Sequence, residues 1–367
     1  PPIPPIMGAE QTQGYRNKVE YTFATEKFIP FSAFKAMKAA AENGDTTVLE
    51  KAPGVAGFHA RGFFEKVVEV DKCYLQAEPT NDLRKAVVIF AIENKMPFYN
   101  IKEHKGWVRN MFIRNTTKGE WMVNLILGYE DKEKREALFN SLLESFPQIT
   151  TLLYTINAKR NDSMQDLLPQ VYSGSGYITE YLEDFQFKIS PKSFFQTNTA
   201  QSEKLYQVTR SFAALTGEQV LYDLYCGTGS IGIFCSEKAK KIVGVEFVEE
   251  AIEDAKINAA LNGLTETAFF AGDVIDICDD AFFDTHGKPD VIITDPPRAG
   301  MHDKLVKKLL EIQAPLIVYV SCNPATQARD LSLLGEKYTV TKIQPVDMFP
   351  HTLHIENVVQ LKRTDLL

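Results

Sequence analysis

Three short segments in the second half of the chain carry residues able to do covalent chemistry. They are Asp295-Pro296-Pro297-Arg298-Ala299-Gly300, Ser321-Cys322-Asn323-Pro324 and His351-Thr352-Leu353-His354-Ile355-Glu356-Asn357. A cysteine can add to an electron-poor centre and later leave, and a carboxylate can take up the proton that must go before it leaves. Singly, neither residue is informative: a lone Cys after a strand is more often a small buried filler, and a Glu at a strand start usually lies on a solvated face. Their joint occurrence with an acid-Pro-Pro segment shifts the balance toward a reacting pair, with Cys322 the nucleophile and Glu356 the proton acceptor.

A second constellation lies upstream, in Asp223-Leu-Tyr-Cys-Gly227-Thr-Gly229-Ser230. Gly227 and Gly229 allow a sharp turn and close approach of backbone to a ligand, where a central strand passes into a helix. The spacing is not the G-x-G-x-x-G of dinucleotide folds. Glu246, about twenty residues on at the end of the next strand, can accept both ribose hydroxyls of an adenosine. Asp273 follows a third strand and either accepts from an adenine amino group or caps a loop. These residues alone leave a hydride-transfer enzyme open.

The elements that must place these groups have two grammars. After about Pro191 the pattern is apolar strand, loop, helix, repeated, which predicts a parallel sheet with helices on both faces. Strands are expected at Val220 to Tyr225, Lys241 to Glu246, Thr267 to Ala271, Asp290 to Asp295, Leu316 to Ser321 and Val358 to Lys362, with helices beginning at Ile231 and running from Glu249 to Leu261. The Asp295 and Cys322 segments then follow strands on one sheet edge, shared with the glycine loop. The first half alternates in short runs: Val19 to Phe23, Lys85 to Ile92 and Glu120 to Leu127 read as strands, and Lys132 to Glu144 as a helix closed by Pro147. The expected organisation is an α/β chain, with a mixed α+β domain over 1–190 and a doubly wound, Rossmann-like domain over 191–367.

Composition sets outer limits. The chain has 367 residues, 44% hydrophobic and 24% charged, with a net charge of -8. That is ordinary globular composition, and no apolar run approaches the roughly 18 to 20 residues of a membrane span. Five cysteines, an odd number with no C-x-x-C pair, suit a reducing compartment better than a disulfide framework. The start has no signal-peptide pattern, so a cytoplasmic location is expected. Between Arg84 and Lys118, eight Lys or Arg stand against two Glu, with Phe98, Tyr99, Trp107 and Phe112 interleaved. This is either a surface that pairs phosphates and stacks bases, or two amphipathic strands with an aromatic core face.

The pair Cys322 and Glu356 suits one problem well. Carbon 5 of uracil is too electron-poor to attack a sulfonium methyl group until a thiolate has added at carbon 6, and a base must then remove the carbon-5 proton. Enzymes that methylate exocyclic amines place an aromatic residue after acid-Pro-Pro; here Arg298 stands there. RNA cytosine-5 enzymes use a second cysteine after a Pro, and position 297 is Pro. Uracil is therefore the favoured ring.

With these segments the chain resembles the RNA uracil-5 methyltransferase family, which makes 5-methyluridine in tRNA or ribosomal RNA. The resemblance extends over Tyr15-Arg-Asn-Lys18, Gly57-Phe-His-Ala60, Cys73 and Phe194-Phe-Gln196-Thr-Asn198. It implies a class I methyltransferase fold, S-adenosylmethionine as cofactor and an RNA partner, with an RNA-recognition role for the first domain. Cys322 would be the nucleophile and Glu356 the base. Gln196, Tyr225, Ser230, Glu246, Asp273 and Asp295 would surround the cofactor and target base, although Ser230 replaces the usual Asn. Phe194 and Phe195 would line a pocket for a flipped uracil, or belong to the core. Many members hold an iron-sulfur cluster on four cysteines. Cys73 matches the last of these and the other three are absent, so no cluster is expected, and the Met-less start reads as a cut just downstream of the missing ligands. No membrane association and no obligate protein partner are implied. Another RNA base methyltransferase, or an RNA-binding module with a disabled methyl site, stays open on sequence.

Overall fold

The structure, a computed structural model, describes residues 1–45 and 54–367, which form two compact units. One runs from Arg16 to Ile178, and the other combines Pro1–Tyr15 with Thr179–Leu367. The division thus falls earlier than residue 190, and the first fifteen residues join the second unit rather than the first. Residues near the start are tied there by main-chain bonds: Met7 N donates to Pro345 O at 2.9 Å, and Asp347 N donates to Met7 O at 2.9 Å.

The Arg16–Ile178 unit holds strands β1 (Lys18–Ala24), β2 (Val55–Ala60), β3 (Phe63–Glu69), β4 (Val108–Asn115), β5 (Trp121–Leu127), β6 (Ile149–Ile156) and β7 (Gln170–Ser173). Its helices are α1 (Phe31–Glu42), α2 (Thr80–Glu93) and α3 (Lys132–Ser145). The strands form one sheet in the order β3-β2-β1-β4-β5-β6-β7, antiparallel except for β5 beside β6, which α3 joins by a crossover. α3 begins where the Asp131 side chain accepts from Lys134 N, satisfying an amide the helix cannot.

Lys85 to Ile92 is helix, not the strand its β-branched run suggests. Leu83, Val87 and Ala91, spaced by four, are buried on one face of α2, while Ile89 and Ile92 are exposed. A short apolar run has no period that separates helix from strand, and here core packing decides. The basic stretch is likewise not a continuous surface. Arg84, Arg109 and Arg114 are buried, as are Phe98, Tyr99 and Trp107, so the aromatic residues form core. Arg109 donates to the carbonyls of Asn157, Lys159 and Asn161 and to Asp162, and lies 3.9 Å from the centre of the Tyr99 ring. Its charge is used to pin that loop.

In the second unit a hairpin, β8 (Ile178–Leu182) and β9 (Phe185–Ile189), leads to α4 (Thr199–Ala213). There follow β10 (Val220–Leu224), α5 (Ser230–Phe234), β11 (Lys241–Glu246), α6 (Glu249–Leu261), β12 (Thr267–Ala271), α7 (Val274–Ile277), α8 (Asp280–His286), β13 (Val291–Thr294), α9 (Asp303–Ile312), β14 (Leu316–Ser321), α10 (Pro324–Leu334), β15 (Tyr338–Val346) and β16 (Glu356–Arg363). The sheet order is β12-β11-β10-β13-β14-β16-β15. β10 to β14 run parallel, and β16 is inserted antiparallel between β14 and β15. β13 and β14 are buried along their whole length, as strands covered by helices on both faces must be. This is the doubly wound sheet expected from sequence. No helix among the described residues is long and apolar enough to cross a membrane.

Candidate active site

The antiparallel insertion of β16 builds the chemistry. Loops at the carboxyl ends of the parallel strands gather on one edge, and a reversed strand brings its first residue, not its last, to that edge. The β14–β16 ladder ends with Ser321 paired to Asn357. One residue further along each strand stand Cys322 and Glu356, and Glu356 also pairs with Val346 of β15. Of the five cysteines, Cys322 is the one that is not fully buried. Burial pushes its thiol up, the Glu356 and Asp295 carboxylates push the same way, and the Arg298 guanidinium opposes them. Glu356 is buried, and its carboxyl is raised by that burial and then by Asp295, again against Arg298. Asp295, just after β13, is raised by burial too. The four side chains therefore share one electrostatic site.

The glycine loop lies on the same edge. Tyr225, directly after β10, has φ 61°, a left-handed conformation costly for a side-chain-bearing residue, and Gly227 and Gly229 continue at 52° and 77°. A Cβ on Gly227 would meet open space; one on Gly229 would crowd Ala255, Ile233 and Phe269 at 3.2 to 3.3 Å. Asp223 accepts from Gly232 N at 2.8 Å through one oxygen, and its other oxygen is buried with no hydrogen-bond partner. Burial pushes Asp223 up to about 7.

Comparison with known proteins bears on the family and the fold. The family description tRNA (Uracil-5-)-methyltransferase matches residues 282–364, and that of the methyltransferase small domain matches 205–315. An RNA methyltransferase of Bacteroides thetaiotaomicron, itself uncharacterized, is 46% identical over 99% of this chain and 78% of its own length. One from Porphyromonas gingivalis is 44% identical over 98% and 77%. The crystal structure of Pyrococcus abyssi tRNA (uracil-54, C5)-methyltransferase with S-adenosyl-L-homocysteine superposes with a TM-score of 0.76 at 28% identity, covering 97% of this chain and 78% of that one. The chain belongs to the RNA uracil-5 methyltransferase family.

The methyltransferase is S-adenosylmethionine-dependent, and its own residues fit a nucleoside. Glu246 ends β11 and holds the loop by accepting from Gly227 N at 3.2 Å and Val248 N at 3.0 Å, one bond to each carboxylate oxygen. Next to it Phe247 is exposed, an apolar face of the kind an adenine ring covers. Sequence reading passed over Phe247, because an aromatic after a strand has no spacing signal. Asp273 caps α7, accepting from Ile275 N at 2.9 Å, so the capping reading of that residue describes its present role. Burial raises the Tyr225 hydroxyl, and the Asp273 carboxylate nearby pushes it further the same way. Ser230 shares a hydrogen bond with Tyr206 at 3.0 Å, on the first turn of α5.

Gln196 is buried in the segment that enters α4. Of the two preceding aromatics, Phe195 is buried, its ring 5.8 Å from that of Phe187, and Phe194 is exposed. Cys73 lies in the other unit, its backbone bonded to the Asn81 side chain, and the described residues contain no group of three or more His, Cys, Asp or Glu placed to hold a metal.

Two residues of α10 support the site without having drawn notice in the sequence. Gln327 donates to Tyr319 O and Asn357 O and accepts from the Asn357 amide, so it clamps the rung beside Cys322 and Glu356. Buried Asp330 accepts from Tyr319 Oη at 2.7 Å, from Met301 N at 2.8 Å and from Arg329, and thereby fixes the loop that carries Asp295-Pro-Pro. Helix-interior Gln and Asp have no local signature, and only the fold brings them to these partners.

Proposed function

We propose that the methyltransferase acts on carbon 5 of a uridine in structured RNA, tRNA or ribosomal RNA, through a covalent adduct with Cys322. The reading is carried by the Ser321–Asn357 rung, which sets a partly exposed thiol and a buried carboxylate at neighbouring strand ends. When bound, S-adenosylmethionine supplies the electrophilic methyl group. Gln196, Tyr225, Gly227, Gly229, Ser230, Glu246, Asp273 and Asp295 would surround it and the target base.

The Cys322 thiol loses its proton and its sulfur bonds to carbon 6, which sends the ring's π electrons toward the carbonyl and makes carbon 5 nucleophilic. Arg298 favours the ionised forms of both Cys322 and Glu356, which eases loss of the thiol proton and keeps Glu356 in the form able to accept one, while burial and Asp295 keep that carboxylate basic. Once carbon 5 carries its methyl group, the Glu356 carboxylate takes the carbon-5 proton; the double bond re-forms and the sulfur leaves. A uridine stacked in folded RNA must leave its stack to reach the thiol. RNA recognition would rest on the Arg16–Ile178 unit, and the substrate would place the enzyme in the cytoplasm.

RNA containing 5-fluorouridine tests the reading, because fluorine at carbon 5 cannot leave as a proton. The expected outcome is a denaturation-resistant complex, dependent on S-adenosylmethionine, whose linked peptide contains Cys322. A complex that formed equally with Cys322→Ala would sink the assignment.

A further inference from the structure

The turn between β15 and β16 displays an apolar side chain that nothing in the protein covers. Leu353 is fully exposed, three residues before Glu356. That spacing keeps its Cα within about 11 Å of the Cα of Glu356. Exposed leucines are ordinary when scattered over a flexible surface. This one stands on a stem fixed from several sides.

Asn198 donates to Met348 O at 3.0 Å, Gln201 donates to Asp347 O at 2.8 Å, and Tyr15 Oη donates to Pro350 O at 3.0 Å. Within the turn, the hydroxyl and the amide of Thr352 both donate to Phe349 O, and His354 N donates to the Thr352 hydroxyl at 3.1 Å. His351 adopts φ 65°, and the His354 ring meets Phe349 edge-on at 6.4 Å. The first three contacts tie the stem to other elements and the rest brace the turn on itself, and Leu353 is the apolar member of an exposed run, His351, Thr352, Leu353 and His354.

We propose that Leu353 is a wedge, which enters the base stack of the RNA and occupies the space left when the target uridine turns out toward Cys322. The inference rests on the uracil-5 reading above. A rigidly mounted apolar side chain can unstack a base step at modest cost because it replaces one stacking surface by another, and its stiff support spares the entropy of ordering a loop on binding. The cationic Arg298, exposed beside Cys322 and Glu356, supplies the charge that the adjacent phosphates need. The partner is RNA rather than a protein groove, because the exposed run of the turn offers one apolar side chain flanked by the polar His351, Thr352 and His354, which suits insertion at a single base step.

The test compares Leu353→Ala and Leu353→Met with the wild-type enzyme on two substrates of the same sequence: a folded hairpin with the uridine in its stack, and a short unstructured strand. The readouts are methyl incorporation and the rise in fluorescence of a 2-aminopurine placed beside the uridine. Leu353→Ala is expected to lower kcat/KM about ten-fold more on the hairpin than on the strand, with a smaller fluorescence rise, and Leu353→Met to restore most of both. Equal effects of Leu353→Ala on the two substrates would overturn the wedge. A wild-type product other than 5-methyluridine would overturn the uracil-5 reading, and the wedge with it. Full exposure of Leu353 means that neither variant is expected to unfold.

Discussion

Cys322 and Glu356 stand one residue beyond the last β14–β16 pair, so the end of a single ladder sets the spacing of the proposed nucleophile and base. The thiol and both neighbouring carboxyls are pushed toward their protonated forms, and Arg298 is the counterweight on Cys322 and Glu356. Such a resting site is quiet until substrate arrives.

Cys322→Ala is expected to remove methyl transfer, by at least about a thousand-fold, while leaving the melting temperature close to that of wild type, because the side chain is only half-buried. Labelled-methyl incorporation and thermal denaturation check the two halves. Retained incorporation would move the nucleophile elsewhere.

Glu356→Gln should separate the steps. Addition and methylation can proceed while the carbon-5 proton has no acceptor, so ordinary uridine-containing RNA is expected to accumulate as a covalent complex that wild type resolves. A denaturing gel detects it. Wild-type turnover by this variant would show that another group takes the proton.

The pH dependence runs in two directions. Activity needs ionised Cys322 and Glu356, so kcat/KM is expected to rise with pH along an acid limb displaced above the usual carboxylate range. Stability goes the other way. The folded protein holds the Glu356 proton more tightly than the unfolded chain, so this contribution is complete below the unfolded value and is lost as pH rises through the raised folded value. Glu356→Gln should therefore match wild type near pH 4 and exceed it at pH 8 by roughly 1–3 kcal/mol in denaturant unfolding.

Two α10 residues are predicted to fail differently. Asp330→Ala leaves Tyr319 Oη and Met301 N without their buried acceptor and should cost about 3 kcal/mol in urea unfolding. Gln327→Ala should lower kcat about ten-fold, with the KM for S-adenosylmethionine nearly constant, because it loosens the rung beside the reacting pair and not the glycine loop.

Glu246→Ala should weaken S-adenosylmethionine binding by at least about ten-fold in calorimetry, through loss of an acceptor that also orders Gly227 and Val248. Undiminished affinity would place the ribose elsewhere.

The parallel half of the fold was legible because buried strands such as Ile292 and Val318 sit in unbroken apolar runs separated by helices with their own period. The placement of the candidate pair was legible because acid-Pro-Pro, Cys322 and Glu356 each sit at a strand end. What escaped notice depends on partners far along the chain. Val87 and Val88 suit a strand locally, and only burial of Leu83, Val87 and Ala91 together makes α2 a helix. Arg109 reads as a phosphate ligand until the Asn157 to Asp162 loop closes over it. Phe194 and Phe195 are neighbours with the same side chain, yet one is core and the other faces water.

The insertion of β16 also sets an order of events during synthesis. β15 lies at the sheet edge and, apart from a single bridge to Met7, pairs among the described residues with β16, so neither strand can take its place until the chain is complete to about Arg363. Cys322, in contrast, follows a strand that can already lie against β13. A nascent chain would thus place its proposed nucleophile early and its proposed base last, so the pair is complete only when the final strand is in place.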